Sequence, residues 1–214
     1  MDDVIRSIEE NYDRLAAEYA AHIYDELRHK PLDRALLDRF AARVRELGVV
    51  CDMGCGPGHV ARYLSEAGVE VFGLDVSPAL LGQARQLNPG MTFRQGDMMA
   101  LDMPAATLTG IVAFYAIVNI PERLLSRVFA ELHRVLEPGG TLLLAFHVGE
   151  EALRPEELWG VKIAMDFFLF PTARIVQLLT SAGFEIEEVI ERDPYPEVEY
   201  QSRRGYVFAQ KPKK

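Results

Sequence analysis

The 214-residue chain is 49 % hydrophobic, which suits one domain with a sizeable buried core rather than two small ones. Its 32 acidic and 23 basic side chains leave a net charge of -9, which argues against a nucleic-acid partner, because such binding draws on Lys and Arg against phosphates. No apolar run approaches bilayer length, and "MDDVIRSIEE" lacks the basic and apolar regions of a secretory leader, so a soluble, cytoplasmic protein is expected.

In chain order, Ile5, Ile8, Tyr12, Leu15, Tyr19 and Ile23 recur at three-and-four spacing and predict a first helix carrying Tyr12 and Tyr19 on one face. A second helix follows Pro31, with Leu36, Leu37, Phe40 and Val44 inward, and stops at Gly48. Short apolar runs then alternate with helical ones. "VVCDM" precedes a helix near residues 58 to 67, "VEVFGLD" precedes a helix from Pro78, and "MTFRQGD" and "GIVAFYAIV" read as further strands. An amphipathic helix opened by Pro121 leads through the turn "EPGG" to the strand "TLLLAFH". Residues 148–171 read as irregular. A helix with Ile175, Val176, Leu178 and Leu179 follows, and the strands "FEIEEVI" and "GYVFAQ" are joined by a stretch without helical periodicity, which suits an antiparallel return. The tail "KPKK" reads as disordered.

Near-continuous apolar strands spaced by helices mean a mainly parallel sheet covered on both faces, an α/β doubly wound fold. Such folds bind ligands outside the carboxyl ends of the strands, where strand order reverses. "VCDMGCGPGHV" is the first strand-to-helix turn, and Gly54, Gly56 and Gly58 let bare backbone approach a ligand closely. Asp52 at its head would repel a pyrophosphate and attract a cation. Asp75 ends the second strand and suits a ribose diol, and Asp97 follows the third. Ribose with positive charge and without phosphate describes S-adenosylmethionine. Strand-end carboxylates also serve simply as helix caps, which remains open for each of the three.

"VCDMGCGPG", the acid in "VFGLDVSP", "FRQGDMMALDMP" and "ELHRVLEPGGTLLLAFH" resemble, in order and spacing, the successive motifs of class I S-adenosylmethionine-dependent methyltransferases of the small-molecule type, over roughly residues 48–147. The resemblance implies a seven-stranded, mainly parallel sheet with the last strand antiparallel. Residues 1–47 would then be a helical cap, 48–147 the cofactor-binding core, 148–171 a substrate-covering insertion, and 172–214 a C-terminal helix and strands. It implies backbone contact to the methionine part of the cofactor from Gly54, Cys55 and Gly56, with Asp52 near its amino group. Asp75 and Val76 would hold the ribose and Asp97 with Met98 the adenine, while Tyr19 and Tyr115 complete the wall. "NYDRLAAEYA" resembles the leading helix that closes over the cofactor in such enzymes, placing Tyr12 and Tyr19 in the pocket.

Methyl transfer to O, N or C of a small, largely apolar acceptor is the expected activity, with S-adenosylhomocysteine as product. The protein mainly aligns donor and nucleophile, and a base is needed only where the acceptor arrives protonated. The candidates for that work are Tyr12, His147 after the fifth strand, and Asn119 in the loop after the fourth. Related enzymes carry a histidine in that loop, and asparagine cannot replace it as a base. The aromatic insertion "ELWGVKIAMDFFLFP" reads as a pocket cover, a dimer contact or plain core. Arg203 and Arg204 read as a grip on an acceptor carboxylate or as a charged strand edge. His133 reads as solvated, and His22, His29 and His59 as surface or capping residues. No metal is expected from five histidines without ligand spacing. Cys51 and Cys55 read as small buried residues. A monomer or homodimer is expected. The alternatives are a non-catalytic S-adenosylmethionine sensor or scaffold, a methyltransferase acting on RNA or protein, and a nicotinamide-dependent oxidoreductase, which G-x-G-x-G spacing disfavours.

Overall fold

The computed structural model describes residues 3–213; Met1 and Asp2 of "MDDVIRSIEE" and the last lysine of "KPKK" lie outside the described residues. The chain opens with helix α1 (Asp3–Ile23), a 3-10 turn (Glu26–His29) and helix α2 (Pro31–Val44). The core then runs β1 (Val50–Met53), α3 (His59–Glu66), β2 (Val71–Asp75), α4 (Pro78–Leu87), β3 (Phe93–Gln95), β4 (Leu108–Phe114), α5 (Glu122–Val135) and β5 (Leu136–Val148). Four two-residue strands follow, β6 (Ala152–Leu153), β7 (Glu157–Leu158), β8 (Val161–Lys162) and β9 (Phe167–Phe168), then α6 (Thr172–Ser181), β10 (Glu185–Arg192) and β11 (Arg203–Gln210).

The main sheet has seven strands in the order β10-β11-β5-β4-β1-β2-β3. β1 pairs in parallel with both β2 and β4, and β11 lies antiparallel between β5 and β10. The sheet therefore has the expected α/β architecture with an antiparallel last strand. Strand order reverses between β1 and β4, the switch point at which a cleft opens. β4 is buried along its whole length because helices cover both faces. On one face α5 and α6 bring Leu125, Phe129, Leu132 and Leu179 against the sheet; on the other α2 and α3 bring Leu37, Phe40 and Leu64.

Three local expectations are corrected. "EPGG" is not a separate turn but part of β5, where the pairing with β4 shifts register and Gly139 takes a positive φ. The insertion is not irregular, since β6 pairs with β9 and β7 with β8 in two antiparallel ladders. The tail is held at Lys211, whose Nζ donates to the carbonyls of His133 and Leu136. No helix among the described residues is long and apolar enough to cross a membrane.

Candidate active site

A cavity lies over the carboxyl ends of β1, β2 and β4, beneath α1. Gly54 and Cys55 amides both donate to the carbonyl of Leu74, folding the turn back onto β2. Gly54 has φ +71° and a Cβ there would stand 2.6 Å from that of Ala116, so only glycine fits. Gly56 has φ +51°, and a Cβ there would stand 3.4 Å from Cε1 of Tyr19, in the cavity between turn and lid. The residues after β1 thus present backbone to whatever the cavity holds.

Asp75 ends β2 with one carboxylate oxygen accepting from the Gly56 amide (2.8 Å) and the other from the Ser77 amide (3.0 Å). Burial raises its pKa and these amides oppose the rise. Each oxygen keeps a lone pair and can still accept a hydrogen bond from the cavity side. Asp97 accepts from the Met99 amide at 2.8 Å, which rigidifies the stretch from Gly96 to Met98 along the wall. α1 supplies Ile5, Ile8, Tyr12 and Tyr19 as the roof, with the two tyrosine rings in an edge contact at 5.4 Å. Asp13 fastens α1 to α4, its carboxylate accepting from the Ser77 hydroxyl (2.6 Å) and the Ala79 amide (3.1 Å). The far wall is Phe114, Tyr115, Ala116, Asn119 and Ile120. Tyr12 donates to Asn119 Oδ1, and Asn119 Nδ2 donates to the carbonyl of Asp166, both at 2.8 Å.

Of the residues predicted to act, Tyr12, Tyr19, Gly54, Gly56, Asp75, Val76, Asp97, Met98, Tyr115 and Asn119 converge on this cavity. Asp52, Cys55 and His147 do not reach its wall. Asp52 lies one residue before the end of β1 and accepts from the Ala61 amide at 2.9 Å, capping α3. Burial pushes its carboxyl up to about 7, against the pull of His59 and that amide. Cys55 packs with Ala61, Leu81 and Phe93 under the turn. Ile5 and Ile8 were legible as cavity residues from their stripe with Tyr12 and Tyr19; Ala116 and Ile120 had no signal.

His147 instead bonds through Nδ1 to the Ser202 hydroxyl at 2.8 Å, and its ring lies 5.2 Å from that of Tyr115. Burial and the charges of Arg204 and Lys30 lower its pKa to about 3, so it stays neutral in the fold at neutral pH and is a poor proton acceptor. The unfolded chain would protonate it near the ordinary 6.5, so its contribution is present above that value and lost as pH falls towards 3. His147→Gln is expected to remove this part of the acid sensitivity. Denaturant midpoints compared at neutral and mildly acid pH check it, and an equal acid loss in both proteins would contradict the assignment.

Behind Tyr115 lies a network of buried charges. Lys30 pairs with Glu26 (2.7 Å) and Glu199 (3.6 Å), Arg204 with Glu199 (3.2 Å), and Arg192 with Asp33 (3.0 Å) and Glu199. Asp33 also accepts from the hydroxyls of Tyr115 (3.0 Å) and Tyr206 (2.9 Å). Burial would raise the Glu26 carboxyl, but His59 and Lys30 outweigh it and hold it at about 2. His59, expected as a surface or capping residue, is buried against Glu26. Arg203 and Arg204 face opposite sides of β11, an interior strand, and Arg204 is occupied by Ser202, Tyr200 and Glu199. They form neither a paired grip nor a strand edge. His133, expected in solvent, packs edge-on against Phe184.

A methyltransferase-domain family profile matches residues 50–140, the segment that carries the glycine turn, Asp75 and Asp97. Residues 50–140 form a methyltransferase domain. A probable S-adenosylmethionine-dependent methyltransferase of Mycolicibacterium smegmatis is 28 % identical over 170 residues, covering 76 % of this chain and 60 % of that protein. A malonyl-[acyl-carrier protein] O-methyltransferase of Enterobacter lignolyticus is 30 % identical over 148 residues, covering 69 % of this chain and 56 % of that one. The methyltransferase chain thus spans less than two thirds of these curated relatives. DhpI in complex with SAH superposes with a TM-score of 0.75 at 20 % identity, covering 99 % of this chain and 98 % of DhpI, and shares the fold.

Proposed function

We propose that this methyltransferase moves a methyl group from S-adenosylmethionine to O, N or C of a small, largely apolar acceptor. The observation that carries the reading is one cavity bounded by bare glycine backbone, a doubly held Asp75 and a tyrosine-lined roof. Gly54 and Gly56 would face the methionine part, Asp75 the ribose hydroxyls, and Asp97 with Met98 the adenine. Bound there, the cofactor would supply a sulfonium-activated methyl group. The chain's own task is alignment and exclusion of water, which the roof of Ile5, Ile8, Tyr12 and Tyr19 suits.

The lining also narrows the acceptor. Among the described residues it contains no Lys, Arg or His, so nothing there offers a counter-charge to an anionic acceptor. Burial holds the hydroxyls of Tyr12 and Tyr19 well above their ordinary 10, with Asp75 adding to the effect on both. Neither is a base at neutral pH, and Asn119 has no proton-accepting nitrogen. The attacking atom would therefore arrive with its lone pair already free, and Asn119 and Tyr12 would orient it. The balance of -9 favours a small acceptor over RNA. Two free, buried cysteines suit a cytoplasmic setting.

Calorimetric titration with S-adenosylhomocysteine, with NADH as control, tests the cofactor. Micromolar binding of the former alone supports the reading, and binding of NADH instead would overturn it. The engagement of Asn119 at both ends also suits a binder without turnover, a sensor or scaffold. Methylation of any amine, phenol or carboxylic acid in a screen eliminates that alternative.

A further inference from the structure

The insertion does not cover the cavity; it grips the flank of the helix that does. None of its aromatic residues lines the cavity, and Phe170 is absorbed into the main core. At 3.6 residues per turn, Asn11, Leu15 and His22 form a stripe beside the cavity-facing Ile8, Tyr12 and Tyr19. That stripe is where residues 157–166 attach. Asn11 Oδ1 accepts from the Ala164 amide at 2.8 Å, and its Nδ2 donates to the Ser7 carbonyl at 2.7 Å, with a looser contact of 3.5 Å to the Ala164 carbonyl. Leu15 packs fully buried against Ile163 and Met165. Trp159 stacks on His22 with ring centres 4.4 Å apart and planes 8° from parallel. On the other flank Asp13 holds α1 to α4.

We propose that Asn11 is a positioning residue, and that the insertion acts through it as a strap holding Tyr12 and Tyr19 down over the cofactor. Its side chain is 3 % exposed and does not line the cavity, so it acts on the ligand only through α1. This rests on the cofactor occupying that cavity. With α1 across the cavity, the cofactor product leaves when α1 lifts, and lifting breaks the Asn11 clasp while leaving the wall formed by β1, β2 and β4 intact. The clasp therefore belongs to the release rate and not to ligand contact.

The strap carries its own reporter, because Trp159 is the only tryptophan in the chain and touches α1 at His22 and Tyr19. In wild type and Asn11→Ala, the dissociation of S-adenosylhomocysteine is followed by Trp159 emission after mixing with excess competitor, beside calorimetric affinity and a thermal melt. Loss of the clasp is expected to speed release about tenfold, the worth of one to two neutral hydrogen bonds. Asn11→Asp keeps an acceptor for the Ala164 amide and a partner for Arg14, which donates to Asn11 Oδ1 at 2.6 Å, and is expected to restore most of the slow release. It also serves as the test if the alanine variant does not fold. An unchanged release rate in folded Asn11→Ala, with wild type binding normally, overturns the proposal. Equal fast release from both variants does so too. Wild type that binds no S-adenosylhomocysteine would refute the cofactor reading instead.

Discussion

Asp75→Ala is expected to lower affinity for S-adenosylhomocysteine about 100-fold or more, since hydrogen bonds to a charged group contribute about 1.5–3 kcal/mol each and two ribose hydroxyls would lose their acceptor. The same change frees the Gly56 and Ser77 amides, so the turn itself loosens. Asp75→Asn retains one carbonyl acceptor and should fall between the two. Calorimetry on folded protein, verified by its melting curve, decides the matter. Affinity within threefold of wild type in the alanine variant would mean the ribose does not sit at Asp75.

Asp33→Ala is expected to cost about 3–5 kcal/mol of stability, the usual consequence of removing one partner of a buried ion pair. Asp33 is fully buried, and its loss removes one of the two carboxylates that Arg192 pairs with among the described residues and takes the carboxylate acceptor from two tyrosine hydroxyls. For a chain of this size each kcal/mol moves the melting temperature by about 2–4 °C, so a drop of roughly 6–20 °C is expected. Tyr115, which Asp33 holds against the cavity, should lose its fixed position as well. Chemical denaturation supplies the measurement, and a loss below about 1 kcal/mol would show that water replaces the carboxylate without penalty.

The sheet was legible because strand periodicity and glycine punctuation are local properties, and so was the cavity floor, because the turn after β1 and the acid ending β2 are carried by single motifs. What escaped was set by distant partners. Whether Asp52 faces a ligand or a helix depends on α3 packing close enough to present the Ala61 amide. Lys30 and Glu199, or Asp33 and Arg192, reveal nothing in sequence of their meeting beneath Tyr115, because opposite charges far apart in the chain are not distinguishable from solvated ones. The pattern of two-residue strands in the insertion is too short to register as alternation, so the choice between pocket cover, dimer contact and plain core for its aromatic residues stayed open; their burial comes from α1 and the main core.

The place of β11 bears on how the chain comes to be folded. β11, the last strand of this sheet in chain order, is an interior strand seated between β5 and β10, and the cap's Lys30 and Asp33 find partners in or beside the β10–β11 hairpin. As the chain leaves the ribosome, β5 shows a long unsatisfied edge until residues 203–210 arrive, an invitation to mispairing with other chains. In the nascent cap Lys30 already has Glu26, but Asp33 waits for Arg192 and Tyr206. Contacts of this sequence separation, 173 residues for Asp33 and Tyr206, close slowly, so the pairing of β11 is expected late in folding.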